Sequence, residues 1–70
     1  MNANEINPSL MPCPCCGNLT IEEPGQYEIC PVCQWEDDPV QSGDPGYSGG
    51  ANELSLNQAR IHWRSNNLDV

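Results

Sequence analysis

Two short cysteine turns, Cys13-Pro14-Cys15-Cys16 and Cys30-Pro31-Val32-Cys33, constrain this chain more than anything else in its sequence. A C-x2-C turn aims two sulfurs at one point, and two such turns supply the four tetrahedral thiolates of a structural zinc site. Thirteen residues separate Cys16 from Cys30, enough for one hairpin that brings the pairs side by side. Gly17 follows the first pair and permits the backbone conformation in which turn amides reach the sulfurs. The expected ligands are therefore Cys13, Cys16, Cys30 and Cys33, around one zinc ion per chain.

The rest of the chain makes such a staple necessary. Seventy residues with no Phe, two Trp and two Tyr bury too little apolar surface to be secure on packing alone. Six glycines and seven prolines commit much of the backbone to turns. Two bland readings compete with metal: a disulfide framework, or cysteines that are simply small buried apolar residues. The start of the chain has neither a basic nor an apolar signal-peptide region, which points to the cytoplasm, where thiols stay reduced. Five cysteines also suit four ligands and a spare better than pairs.

Charge narrows the partners. Ten acidic residues face two arginines and no lysine, a net charge of −8, and a zinc tetrathiolate would take it to about −10. Nucleic acid requires a basic footprint that is lacking here. Anionic membrane surfaces repel such a chain, and no run approaches the roughly 20 apolar residues of a bilayer span. A basic protein partner fits.

Along the chain, residues 1–12 read as a loose arm whose last apolar residues, Leu10 and Met11, tuck onto the core. Residues 13–70 read as one small metal-stabilised α+β domain. In its ribbon, 13–35, Leu19-Thr20-Ile21 and Tyr27-Glu28-Ile29 alternate as half-buried strands do. Pro24-Gly25 would join them as a hairpin, with Leu19, Ile21, Tyr27 and Ile29 on one face. Residues 36–53 form an acidic loop rich in Gly and Pro with neither period, which Tyr47 and Val40 would pin in part. Residues 55–66 form the C-terminal helix, opened by a Ser55/Gln58 capping box, with Leu54 and Ala59 at its staple positions. Leu56, Ala59 and Trp63 fall on its core face, while Ile61 and Leu68 point elsewhere and hint at a second contact surface.

Other residues admit two readings each. Cys15 is a passenger thiol, or else a nucleophile, redox sensor, second-metal ligand or member of a C-x-C pair with Cys13. Glu36, Asp37 and Asp38 form either an acidic hook for a basic partner or a solvated turn paired weakly with Arg60 and Arg64. The spacing of Asp37, Asp38 and Asp44 does not suit calcium. Tyr47 is an interface anchor or packs under its own loop. His62 reads as a surface residue, and Trp35 and Trp63 as cover for the metal site. Ser48–Asn52 lacks the lysine and preceding strand of a phosphate loop.

The runs Cys13-Pro-Cys-Cys-Gly17, Glu22-Glu-Pro-Gly25, Tyr27-Glu-Ile-Cys-Pro-Val-Cys33, Trp35-Glu-Asp-Asp38, Asp44–Asn52 and Leu54–Arg60 together resemble the cysteine-rich CPCC family of small, mostly bacterial proteins, across residues 13–60. That resemblance implies a zinc ribbon and carries no enzymatic activity. The two knuckles are also similar to those of rubredoxins, which hold one iron, although the inter-knuckle spacing is shorter and Gln34 stands where Gly is usual. The function expected is a non-catalytic zinc-binding interaction module, an acidic inhibitor such as an immunity protein or antitoxin acting on a basic partner. The alternative is an iron electron carrier. Four thiolates would close the zinc shell, which argues against an enzyme.

Overall fold

The computed structural model describes residues 10–66. In chain order they form β1 (Met11–Pro12), β2 (Leu19–Ile21), a short helix α1 (Pro39–Gly43) and the helix α2 (Leu56–Asn66). β1 and β2 pair antiparallel, with Met11 opposite Ile21 and Pro12 opposite Leu19. The first cysteine turn is the loop of this hairpin. Its Cys13 N–H donates to the Asn18 carbonyl at 2.8 Å, and the Gly17 N–H to the Cys13 carbonyl at 2.9 Å.

The second cysteine turn repeats this construction. Cys30 N–H donates to the Trp35 carbonyl at 2.9 Å, and Gln34 N–H to the Cys30 carbonyl at 2.8 Å. The flanking backbone is held by an antiparallel bridge between Ile29 and Glu36 and by bonds from Tyr27 to Asp37 and from Asp37 to Glu28.

This corrects the expected pairing. Leu19–Ile21 does not pair with Tyr27–Ile29 across Pro24-Gly25; each lies against the segment beyond its own cysteine turn. The physical reason lies in the backbone: each cysteine turn reverses the chain through its own amide bonds, whereas Tyr27 at φ +63° breaks the extended backbone that a strand partner for Leu19–Ile21 would need. The connection between the two units is tied differently. The Glu28 carboxylate accepts the amides of Glu22 and Glu23 at 2.9 and 2.7 Å. Gly25 takes φ of +83°, the left-handed turn position read from the sequence. The shared apolar face is corrected with the pairing. Ile21 is buried, whereas Leu19, Tyr27 and Ile29 are exposed.

Residues 36–53 also depart from expectation, since α1 lies inside them. Asp38 caps it, accepting the Val40 N–H at 2.8 Å, and Pro39 supplies a first residue with preset φ. Tyr47 and Val40 do not pin the segment; both are exposed. A polar side chain does so instead. Gln41 is fully buried, and its Nε2 donates to the carbonyls of Tyr47, Asn52 and Leu54 at 3.1, 3.1 and 3.0 Å. Its Oε1 accepts the Asn52 backbone N–H at 3.0 Å and the Asn52 side-chain amide at 2.9 Å. Asn52 in turn clasps Glu36, accepting its N–H at 2.9 Å and donating to its carbonyl at 2.8 Å. Gly50 makes room for this closure: a Cβ there would stand 2.6 Å from the Asp38 Oδ2 and 3.0 Å from the Gln41 Cδ.

α2 begins as its sequence predicts. Ser55 N–H donates to the Gln58 Oε1 at 2.9 Å, and Gln58 N–H returns to the Ser55 Oγ at 3.1 Å. Leu56 is buried, Ala59 packs on the core and Ile61 is exposed. The core is small and sulfur-rich: Cys13, Ile21, Cys30, Trp35 and Leu56, with Cys15, Cys16, Cys33 and Ala59 packed around them. Leu10 is half-buried and Met11 exposed. The remainder of the expected arm, residues 1–9, and Leu68 lie outside the described residues. Among the described residues, no helix is long and apolar enough to cross a membrane.

Candidate metal centre

The two cysteine turns face each other and bring Cys13, Cys16, Cys30 and Cys33 together, with all four sulfurs within 4.8 Å of one another. The Cys13 and Cys33 sulfurs are 3.6 Å apart, and those of Cys16 and Cys30 are 3.8 Å apart. Tetrahedral thiolates about 2.3 Å from a zinc ion would stand roughly 3.8 Å from each other. The donor set and its spacing therefore fit one tetrahedrally held metal ion. All five cysteines are free thiols, so the disulfide framework weighed above is not formed.

The backbone earns this geometry by placing the residue after each pair in the left-handed region, Gly17 at φ +83° and Gln34 at φ +74°. That conformation returns its N–H to the first cysteine's carbonyl and turns the intervening amides inward. Gln34 thus does with a side chain what Gly17 does without one, at some cost in strain.

Hydrogen bonds to sulfur stabilise negative charge there. Thr20 Oγ1 donates to the Cys30 sulfur at 3.2 Å, and the Val32 amide at 3.4 Å. Asn18 Nδ2 donates to the Cys16 sulfur at 3.2 Å. The amides of Cys15 and Cys16 serve Cys13, and that of Trp35 serves Cys33. With thiols alone, burial pushes Cys13 and Cys33 up to about 12, the amides offsetting only part of it. At Cys30 burial acts in the same direction, but it is outweighed by the Thr20 hydroxyl and the Cys33 and Val32 amides, which bring the thiol down to about 6. A buried thiolate beside two reluctant thiols is a cluster that needs a cation to become fully ionised.

Thr20 and Asn18 were missed by sequence reasoning. Asn18 carried a signal, lying two residues beyond Cys16; Thr20 did not, since strand alternation puts it on the face opposite Ile21. Cys15, the spare thiol, is half-buried against the core, and burial raises its pKa. It stands beside the four-sulfur cluster without belonging to it.

The remaining candidates are placed differently from their sequence reading. Asp37 and Asp38 are buried rather than displayed as a hook. Asp37 Oδ2 accepts the Gly25 amide at 2.7 Å, and Asp38 Oδ2 accepts that of Ala51 at 2.9 Å. Ala51 above all, with the Val40 and Gln41 amides, holds the Asp38 carboxyl below its usual range. These two acids fasten loops, because turns leave amides without backbone partners and a nearby carboxylate satisfies them. Glu36 is half-buried and Tyr47 exposed. Arg60 Nε donates to the Pro14 carbonyl at 2.9 Å, tying α2 to the first cysteine turn.

A family model described as Cysteine-rich CPCC matches residues 11–66. No curated protein matches the chain.

Proposed function

This chain belongs to the cysteine-rich CPCC family, and on that footing we propose that it is a non-catalytic interaction module folded as a zinc ribbon around one zinc ion. The observation that carries the metal half is the four-sulfur cluster, whose separations match a tetrahedral tetrathiolate. A tetrathiolate shell leaves no open coordination position, which supports a structural rather than a catalytic ion. Cys13, Cys16, Cys30 and Cys33 would hold the ion, with Thr20, Asn18 and the turn amides orienting the sulfurs.

The partner half rests on charge. A net charge of −8, deepened by the thiolates, favours rapid association with a basic protein. Inhibition of a basic enzyme, in the manner of an immunity protein or antitoxin, is the biological use we infer.

A native mass spectrum of freshly purified protein tests the metal directly, with one zinc per chain expected. A protein isolated without any metal would refute the reading. Co-purification tests the partner: a basic protein should come down with the chain at low salt and be lost at high salt. A chain that binds only acidic or neutral proteins would refute that half. Four thiolates in a tetrahedron suit iron as well as zinc, and the half-exposed Cys16 and Cys33 would give electrons a short path to the surface. Iron in the mass spectrum, with a red oxidised form, would make the chain an electron carrier instead.

A further inference from the structure

All five cysteines lie in or against the core cluster, yet four suffice for a tetrahedral site. The fifth, Cys15, hydrogen-bonds through its thiol to the Cys33 side chain. The same two residues line a groove of about 500 Å³ between the second cysteine turn and α2, and they are the two cysteines on its wall. Both are half-buried. A spare thiol thus meets one sulfur of the cluster where a small solute reaches the pair from one side.

The other three sulfurs are poorer partners for Cys15. Cys13 and Cys30 are 2% and 0% exposed. Cys16 is its neighbour in the chain. Adjacent Cα atoms stand about 3.8 Å apart across a trans peptide, short of the roughly 4.4–6.8 Å that a disulfide spans. Cys33 comes from the other cysteine turn and carries no such constraint.

We propose that Cys15 and Cys33 are a reversible dithiol–disulfide pair, oxidised by a hydroperoxide that enters the groove. The Cys15 sulfur attacks the outer oxygen of the hydroperoxide. An S–O bond forms, the O–O bond breaks, and the alkoxide leaves with the Cys15 proton as an alcohol (water when the oxidant is hydrogen peroxide). The Cys33 sulfur then attacks the sulfenic sulfur of Cys15. The S–S bond forms, the S–O bond breaks, and hydroxide leaves as water. Its proton comes from the Cys33 thiol or, where a metal holds Cys33, from solvent. The two sulfurs give up two electrons and the peroxide accepts them. A thiol reductant reverses the change by exchange at the disulfide. The four-sulfur set meanwhile loses Cys33 and keeps three sulfurs, too few for a tetrahedral shell. Release of the ion rests on the reading of that set as a metal site; the pairing itself does not.

The test treats the purified protein with hydrogen peroxide, then unfolds it in guanidinium with a maleimide present to label the remaining thiols. Tandem mass spectrometry maps the label, and a chromogenic chelator follows released zinc. The protein should lose about 2 Da, two hydrogens, with Cys15 joined to Cys33 and the label on Cys13, Cys16 and Cys30. Zinc should appear in step with the disulfide, and dithiothreitol with added zinc should restore the starting form. Cys15→Ser should hold the same metal and lose neither mass nor zinc at the same dose. A disulfide that leaves Cys15 labelled, a variant as sensitive as the parent, or no loss of mass at a dose that oxidises free cysteine would each overturn the proposal. If Cys15→Ser fails to fold, the label map of the unaltered protein decides. A Cys15–Cys33 disulfide that leaves zinc bound would sustain the pair and overturn its effect on the cluster. A protein purified without metal would refute the metal reading, and the same map would still decide the pair.

Discussion

Replacing Gln41 is the sharpest perturbation the structure offers, because one buried amide ties three points of the segment between α1 and α2. Its five hydrogen bonds reach Tyr47, Asn52 and Leu54. Gln41→Met keeps the length and volume of the side chain and removes every one of them. At about 1 kcal/mol for each of the two amide hydrogens, shared among three carbonyls, and for each bond to Oε1, with about 1 kcal/mol more for the carbonyls left unpaired, the sum is about 5 kcal/mol. The loop can relieve part of this by opening to water, so we expect about 3–5 kcal/mol. That compares with a total of roughly 4–10 kcal/mol for an ordinary chain of this length. Gln41→Glu should be worse than Gln41→Met at neutral pH, since its ionised carboxylate would face three carbonyls with nothing to donate. Amide hydrogen exchange of the metal-loaded protein reads the effect locally. Protection at Asn52 and Ala51 should fall by about two to four powers of ten, with a smaller change in β2, which lies beside the four-sulfur cluster. A Gln41→Met protein with wild-type exchange at both amides, and a denaturation midpoint shifted by less than about 0.5 kcal/mol in stability, would refute the hub.

Three further outcomes follow from the same geometry. Stripping the metal with a chelator should abolish the near-ultraviolet signal of the tryptophans and the cooperative unfolding transition, and added zinc should restore both, because the core cluster of five residues includes two of the ligands; a chelated protein that keeps its transition would contradict this. Gln34→Gly should relieve about 1–2 kcal/mol of left-handed strain against about 0.5–1 kcal/mol of added chain entropy, a net gain of up to about 1.5 kcal/mol in chemical denaturation. Gly50→Ala should destabilise by about 1–3 kcal/mol, since its new methyl collides with the Asp38 carboxylate and Gln41; thermal denaturation of the zinc-loaded form measures it.

Much of the candidate site was legible because it is local. The spacing within Cys13–Cys16 and Cys30–Cys33 dictates two turns whatever the rest of the chain does, and the Ser55/Gln58 box needs only its own first helical turn. Pairing was less legible. Leu19–Ile21 and Tyr27–Ile29 have the right alternation to pair with each other, but alternation does not name a partner, and Tyr27 at φ +63° interrupts the strand that this pairing would need. Least legible was the 36–53 segment. Its order comes from Gln41, Asn52, Asp37 and Asp38, polar residues that sequence patterns assign to water. Each is drawn inward by turn amides and carbonyls that lack helical or sheet partners. A loop fastened by side-chain amides has no period to detect.

The clasp of Asn52 on Glu36 has a consequence for solubility. In the second cysteine unit, the inward bonds run through Tyr27, Glu28, Cys30, Trp35 and Asp37, which leaves the backbone N–H of Glu36 without a backbone acceptor, while its carbonyl takes the Asp38 N–H at 2.8 Å. An open strand edge of that kind is a template on which other chains can add and polymerise. Asn52 takes up that N–H and adds a second donor to the carbonyl with one primary amide, acting as a strand one residue long. The chain thereby blunts its own sticky margin without spending a third strand on it, and any event that frees Asn52 would expose that margin to a neighbour.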